Sequence, residues 1–128
     1  MRIMGIDWGE KRIGIALSDP LHIFAQPFSI LYFKSEKELL KKLKDIIQEK
    51  EVGKIVVGLP KRTDGKEGWA EKQVEKFVAW LKKSLPLEVV TWDERYTSML
   101  ARQITRDKKK IDALSAQIML QSYLEKAD

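Results

Sequence analysis

The run Ile55-Val56-Val57, three β-branched residues with no polar one among them, constrains this chain more than any other feature. Branched side chains stiffen an extended backbone, and a strand that is apolar on both sides must be covered on both sides. Such strands belong to parallel sheets, whose crossovers run through helices lying on the faces. Gly58-Leu59-Pro60 ends the run, and the flanking sequence supplies the cover. Ser35 and Glu38 form a capping-box pair ahead of Leu39, Leu40, Leu43, Ile46 and Ile47, which share one helical face. Beyond the strand a helix carries Trp69, Ala70, Val74, Phe77, Val78 and Leu81, and Pro86 precedes another strand over Leu87 to Trp92. These are two successive strand-helix units.

The first third of the chain has the shorter period of an antiparallel meander. Arg2 to Ile6 reads as a strand ending in the turn Asp7-Trp8-Gly9-Glu10. Arg12 to Leu17 is its hairpin partner, with Ile13, Ile15 and Leu17 alternating with Arg12, Gly14 and Ala16. Ala25 to Phe33 supplies a third strand at an edge, where the missing amide of Pro27 is tolerated. At the other end, Thr97 or Ser98 caps a short helix through about Thr105, Arg106 to Lys110 reads as a loop, and Ile111 to Lys126 is a closing helix. The order βββ-α-β-α-β-α-α predicts an α/β fold: a mixed five-stranded sheet, three antiparallel strands then two parallel, with helices on both faces. With 128 residues, no repeat and no linker-like break, a single domain spanning 1–128 is expected.

Composition narrows the chemistry. The absence of cysteine removes disulfides, thiolate metal sites and cysteine nucleophiles, and leaves His22 as the only histidine. A metal would be held by oxygen, which favours Mg²⁺ or Mn²⁺. Lys and Arg outnumber Asp and Glu by 24 to 19, a formal charge of +5 that suits a polyanionic partner. Apolar runs of a few residues are far short of the ~20 needed to span a bilayer, so no membrane association and a cytoplasmic location are expected.

Candidate site residues follow from the topology, since ligands bind where the carboxyl ends of parallel strands converge. Asp7 ends the first strand, as a ligand or as a turn-former. Asp93 and Glu94 end the last strand, placing a carboxylate at the same edge or starting the next helix. Asp112 begins the closing helix on an inward stripe continued by Ala116 and Met119. A carboxylate there needs compensation, from a metal or from a salt bridge to Arg95. Acids from separate elements suit octahedral oxygen coordination and hydrolysis of a phosphodiester with two ions ~4 Å apart. Lys61 and Arg62, in the loop Leu59 to Gly68, and the run Lys108, Lys109 and Lys110 are placed to touch phosphate or are simply solvated. The loop lacks the Gly-Lys-Ser/Thr ending of a P-loop. His22 reads as packing or surface. Trp8, Trp69, Trp80 and Trp92 read as core, with base stacking an alternative for Trp8.

Four segments together resemble the YqgF/RuvX family of ribonuclease H-like nucleases: Met4 to Asp19, Val57 to Gly68, Asp93 to Ser98 and Lys109 to Leu124. The first segment alone is similar to the phosphate loop of the actin, Hsp70 and sugar-kinase fold, whereas all four in order are specific. The resemblance implies a ribonuclease H-like fold and Asp7, Glu94 and Asp112 as catalytic metal ligands. It also places Lys11, Arg12 and Arg95 at motif positions, where they contact phosphate or neutralise the acids. The family differs from RuvC-type resolvases, which carry an acid at the end of the fourth strand. Here that strand ends in Gly58-Leu59-Pro60, and the acid comes from the next strand. Glu94 has the longer side chain to cross the extra strand spacing of ~4.8 Å. The implied function is metal-dependent processing of the 5′ end of pre-16S rRNA, or resolution of branched DNA, by a monomer or homodimer. The alternatives from other classes are a noncatalytic nucleic-acid binding module and an ATPase of the actin fold.

Overall fold

A computed structural model describes residues 1–60, 68–93 and 108–126, with side chains for all of these except 108–110. The elements are β1 (Arg2–Asp7), β2 (Arg12–Ser18), β3 (Ala25–Tyr32), α1 (Glu36–Lys50), β4 (Val52–Leu59), α2 (Trp69–Ser84), β5 (Glu88–Asp93) and α3 (Lys108–Lys126). They build the expected five-stranded sheet, in the order β3-β2-β1-β4-β5. β1 pairs antiparallel with β2, β2 antiparallel with β3, and β4 parallel with both β1 and β5. β1 therefore sits at the centre, where the hairpin half meets the parallel half.

The period-2 pattern sorts side chains between two layers. Met4 and Ile6 of β1, Ile13, Ile15 and Leu17 of β2, and Ile55 and Val57 of β4 pack with Leu39 and Leu43 of α1 and Val74, Phe77, Val78 and Leu81 of α2. The alternate residues Ile3, Ala16, Ala25 and Val56 face α3, meeting Ala116, Met119, Leu120 and Tyr123. Each fully buried Ile, Leu, Met or Phe on these faces contributes roughly 1.5–3 kcal/mol.

The start of α1 is capped at Ser35 as expected, with the returning Glu38 bond made one residue before the cap. The Ser35 hydroxyl accepts from the Glu38 amide at 3.2 Å, while the Glu38 carboxylate accepts from the Lys34 amide at 3.2 Å. Ser35→Ala is expected to cost about 1 kcal/mol, readable as a lowered urea midpoint at unchanged slope.

Local departures from the sequence reading have physical causes. α3 begins at Lys108, so Lys108, Lys109 and Lys110 are helical rather than loop. Lysine is a good helix former, and charge alone does not break a helix. Trp69 is not core: it is 59% exposed. As the first residue of α2, it stands about 80° or more around the helix from each of Phe77, Val78, Val74 and Leu81, outside their buried stripe. The expected short helix ending near Thr105 lies outside the described residues. No helix among the described residues is long and apolar enough to cross a membrane.

Candidate active site

Asp7 is the last residue of β1 and pairs with Gly14 of β2. Antiparallel partners share a face, and the alternation that turns Gly5 and Ala16 to α3 places Asp7 and Gly14 there too. α3 crosses the sheet at this point. A Cβ built on Gly14 would lie 2.1 Å from the Asp112 carbonyl oxygen and 2.8 Å from the Ala113 amide nitrogen. Only glycine leaves room for the helix backbone here. Asp112 is thereby seated over the strand neighbour of Asp7, one spacing of ~4.8 Å away. Ala116 and Met119, along the same stripe, are fully buried, as that stripe predicts.

Asp112 is compensated by Arg12, while Arg95, the partner weighed from the sequence, lies outside the described residues. Arg12 Nε donates to Asp112 Oδ2 at 2.6 Å, joining the base of the β1–β2 hairpin to α3 across a hundred positions of sequence. The hydrogen bond from Asp112, and secondly its charge, raise the pKa of the Arg12 guanidinium above its ordinary value. Arg12 thus pairs with one of the candidate acids, in line with one of the two roles weighed for it. With side-chain exposures of 45% and 23% the pair is open to water, and its value lies in orientation more than stability. A cavity of about 350 Å³ opens here, lined by Trp8, Gly9, Glu10, Lys11, Arg12 and Asp112. Lys11 therefore reaches the same recess.

The parallel half brings the other strand ends to this edge. Val57 pairs with Ile6, and the next residue, Gly58, pairs with Trp92. Gly58 shares the phase of Val56 and so falls on the α3 face, where it contributes no side chain of its own. Val90 and Trp92 pack on the α3 side, so Asp93 falls on the opposite side from Asp7. Glu94, Lys61, Arg62 and the side chains of Lys108, Lys109 and Lys110 lie outside the described residues. His22 is exposed at the other end of the sheet, with a left-handed φ of 61° and its Nε2 2.5 Å from the Met1 carbonyl oxygen. It takes no part here.

Carboxylate oxygens are the donors hard divalent cations require, so Asp7 on the α3 face of β1 and Asp112 seated over its strand neighbour have the chemistry to hold such an ion. Among the described residues, no three acids or histidines close around one point. The sequence signal that was missed is Gly14, whose lack of a side chain lets the α3 backbone lie against β2 and seats Asp112 there.

The mixed five-stranded sheet crossed by a final helix is the fold of solved Holliday junction resolvases. The fold matches Thermus thermophilus RuvC with a TM-score of 0.58 at 11% identity, covering 98% of this chain and 96% of that one. It matches the fowlpox virus resolvase, solved with Holliday junction DNA, with a TM-score of 0.57 at 13% identity, covering 98% and 97%. The chain belongs to the RuvX family, whose profile, described as Holliday junction resolvase, matches residues 1–126. Proteins of Koribacter versatilis and Halothermothrix orenii are 41% and 40% identical to it, over 98% and 97% of this chain and 87% and 94% of theirs. A protein of Thermoanaerobacter pseudethanolicus is 41% identical over 98% of this chain and 96% of its own. All three bear the name "Putative pre-16S rRNA nuclease".

Proposed function

We propose that this protein is a nuclease in which Asp7, Glu94 and Asp112 hold Mg²⁺ or Mn²⁺, two ions when substrate is bound, and that it trims the 5′ end of pre-16S rRNA. The observation that carries the reading is the seating of Asp112 beside Asp7 across Gly14. Hydrolase activity on nucleic-acid phosphodiesters agrees with the family and with the names of the relatives. Asp93 falls on the face away from Asp7, which favours Glu94 as the third acid. A divalent cation bound there supplies Lewis-acid stabilisation of the phosphate and lowers the pKa of water. The chain's own residues do the rest. Asp7 and Asp112 orient the charge, and Lys11 and Arg12 line the recess where a phosphate enters.

Arg12 also places a positive charge against Asp112. Removing a unit charge at such a distance from a cation site is expected to tighten Mn²⁺ binding by about fivefold in Arg12→Gln, measured by calorimetry, with melting temperature little changed.

Substrate choice is tested by incubating a labelled precursor-rRNA 5′ fragment and a four-way DNA junction with the protein and Mn²⁺. Cutting of the RNA alone supports the trimming role. Cutting of the junction alone moves the assignment to resolution of branched DNA, the second reading that the family description favours. Tight binding without metal-dependent cutting of either would reduce the chain to a binding module.

A further inference from the structure

Trp69 exposes 59% of its surface at the first position of α2, yet it is not solitary. Its ring centroid lies 6.0 Å from that of Trp8, with the planes inclined by 58°. Trp8 packs partly into the core beneath α1 and α2, follows Asp7 directly, and lines the recess shared by Lys11, Arg12 and Asp112. A half-buried indole thus braces an exposed one at the lip of the candidate active site. Leaving so large an apolar ring in water forgoes the stabilisation its burial would bring.

We propose that Trp8 and Trp69 form a stacking platform for an unpaired nucleobase next to the phosphate that is cut. This rests on the nuclease reading above and names its substrate class: a single-stranded stretch. Indole faces stack on any base, and the bracing by Trp8 presets the orientation of Trp69, lowering the ordering cost on binding. Lys11 and Arg12, in the wall that Trp8 also lines, supply the cations a phosphate backbone needs. Bases within a duplex keep their faces against one another and cannot reach the platform, so the preference is for strands that are already open.

The experiment measures fluorescence anisotropy of a labelled twelve-nucleotide oligoadenylate and of a blunt twelve-base-pair RNA duplex. The Asp7→Asn protein is the parent, in Mg²⁺, and Trp69→Ala, Trp69→Leu and Trp69→Phe are built on it. Stacking on one base is worth ~1–3 kcal/mol, so Trp69→Ala and Trp69→Leu are expected to weaken single-strand binding by about five- to a hundredfold. Trp69→Phe should keep most of the affinity, and duplex binding should not change. Unchanged single-strand affinity in Trp69→Ala overturns the platform, and so does an equal loss on both probes. Cleavage by the otherwise wild-type chain, assayed alongside, separates the two levels: cutting with unaltered binding by Trp69→Ala leaves the nuclease standing without the platform. No cutting, with neither probe bound by the parent, removes both.

Discussion

Asp7→Asn is expected to leave the fold intact and to lower metal-dependent cleavage by at least about a hundredfold, measured as the initial rate on labelled RNA with Mn²⁺. The estimate is a floor, since removing groups that merely support metal ligands already costs 10–100-fold. Asp7 ends the central strand on the α3 face, and the change preserves its shape while removing the charge that attracts a cation. Asp93→Asn is the matched control. It sits at the end of β5 on the other face, and its rate should stay close to wild type.

Gly14→Ala is expected to damage fold and function together. The added methyl would meet the Asp112 carbonyl oxygen at 2.1 Å, its carbon at 2.3 Å and the Ala113 nitrogen at 2.8 Å, all backbone atoms of α3. No side chain can swing aside, so the helix must lift from the hairpin. Overpacking of this kind costs ~3 kcal/mol or more. At about 4 °C per kcal/mol for a chain of this size, the melting temperature should fall by at least roughly ten degrees, and cleavage should fall with it as Asp112 moves from Asp7. Gly53→Ala provides the contrast. Its methyl would meet side-chain atoms of Met1, the nearest being Cβ at 2.9 Å, so a small shift of one exposed residue, rather than of a helix, makes room. Its melting temperature should fall far less than that of Gly14→Ala, as circular dichroism would show.

Period and punctuation carried most of the fold in the sequence. The doubly apolar Ile55-Val56-Val57, the alternation of Ile13, Ile15 and Leu17, and the Ser35 cap each state a local preference that packing upholds, so strand directions and the placing of helices on both faces could be read directly. Of the candidate site, the strand end that positions Asp7 and the inward stripe of Asp112 were legible for the same reason. The Arg12 pairing was not. It joins residues a hundred positions apart, and only the crossing of α3 over β2 brings them together. Gly14 was legible as a member of an alternating strand but not as the gap that admits a helix, because a missing side chain has no periodic signature of its own. Trp69 misled through composition: a tryptophan near a helical repeat suggests core, although its phase places it off the buried stripe. The onset of α3 at Lys108 was hidden by charge, which reports solvation rather than backbone state.

The most direct test of the central claim is calorimetric titration of Mn²⁺ into the wild-type chain and into Asp7→Asn, Glu94→Gln and Asp112→Asn. If these acids hold the metal, the wild type binds and each variant loses affinity by at least tenfold while keeping the wild-type circular dichroism spectrum. Equal Mn²⁺ affinity in all four folded proteins would contradict the account, and would leave Asp7 a turn residue and Asp112 the partner of Arg12 alone.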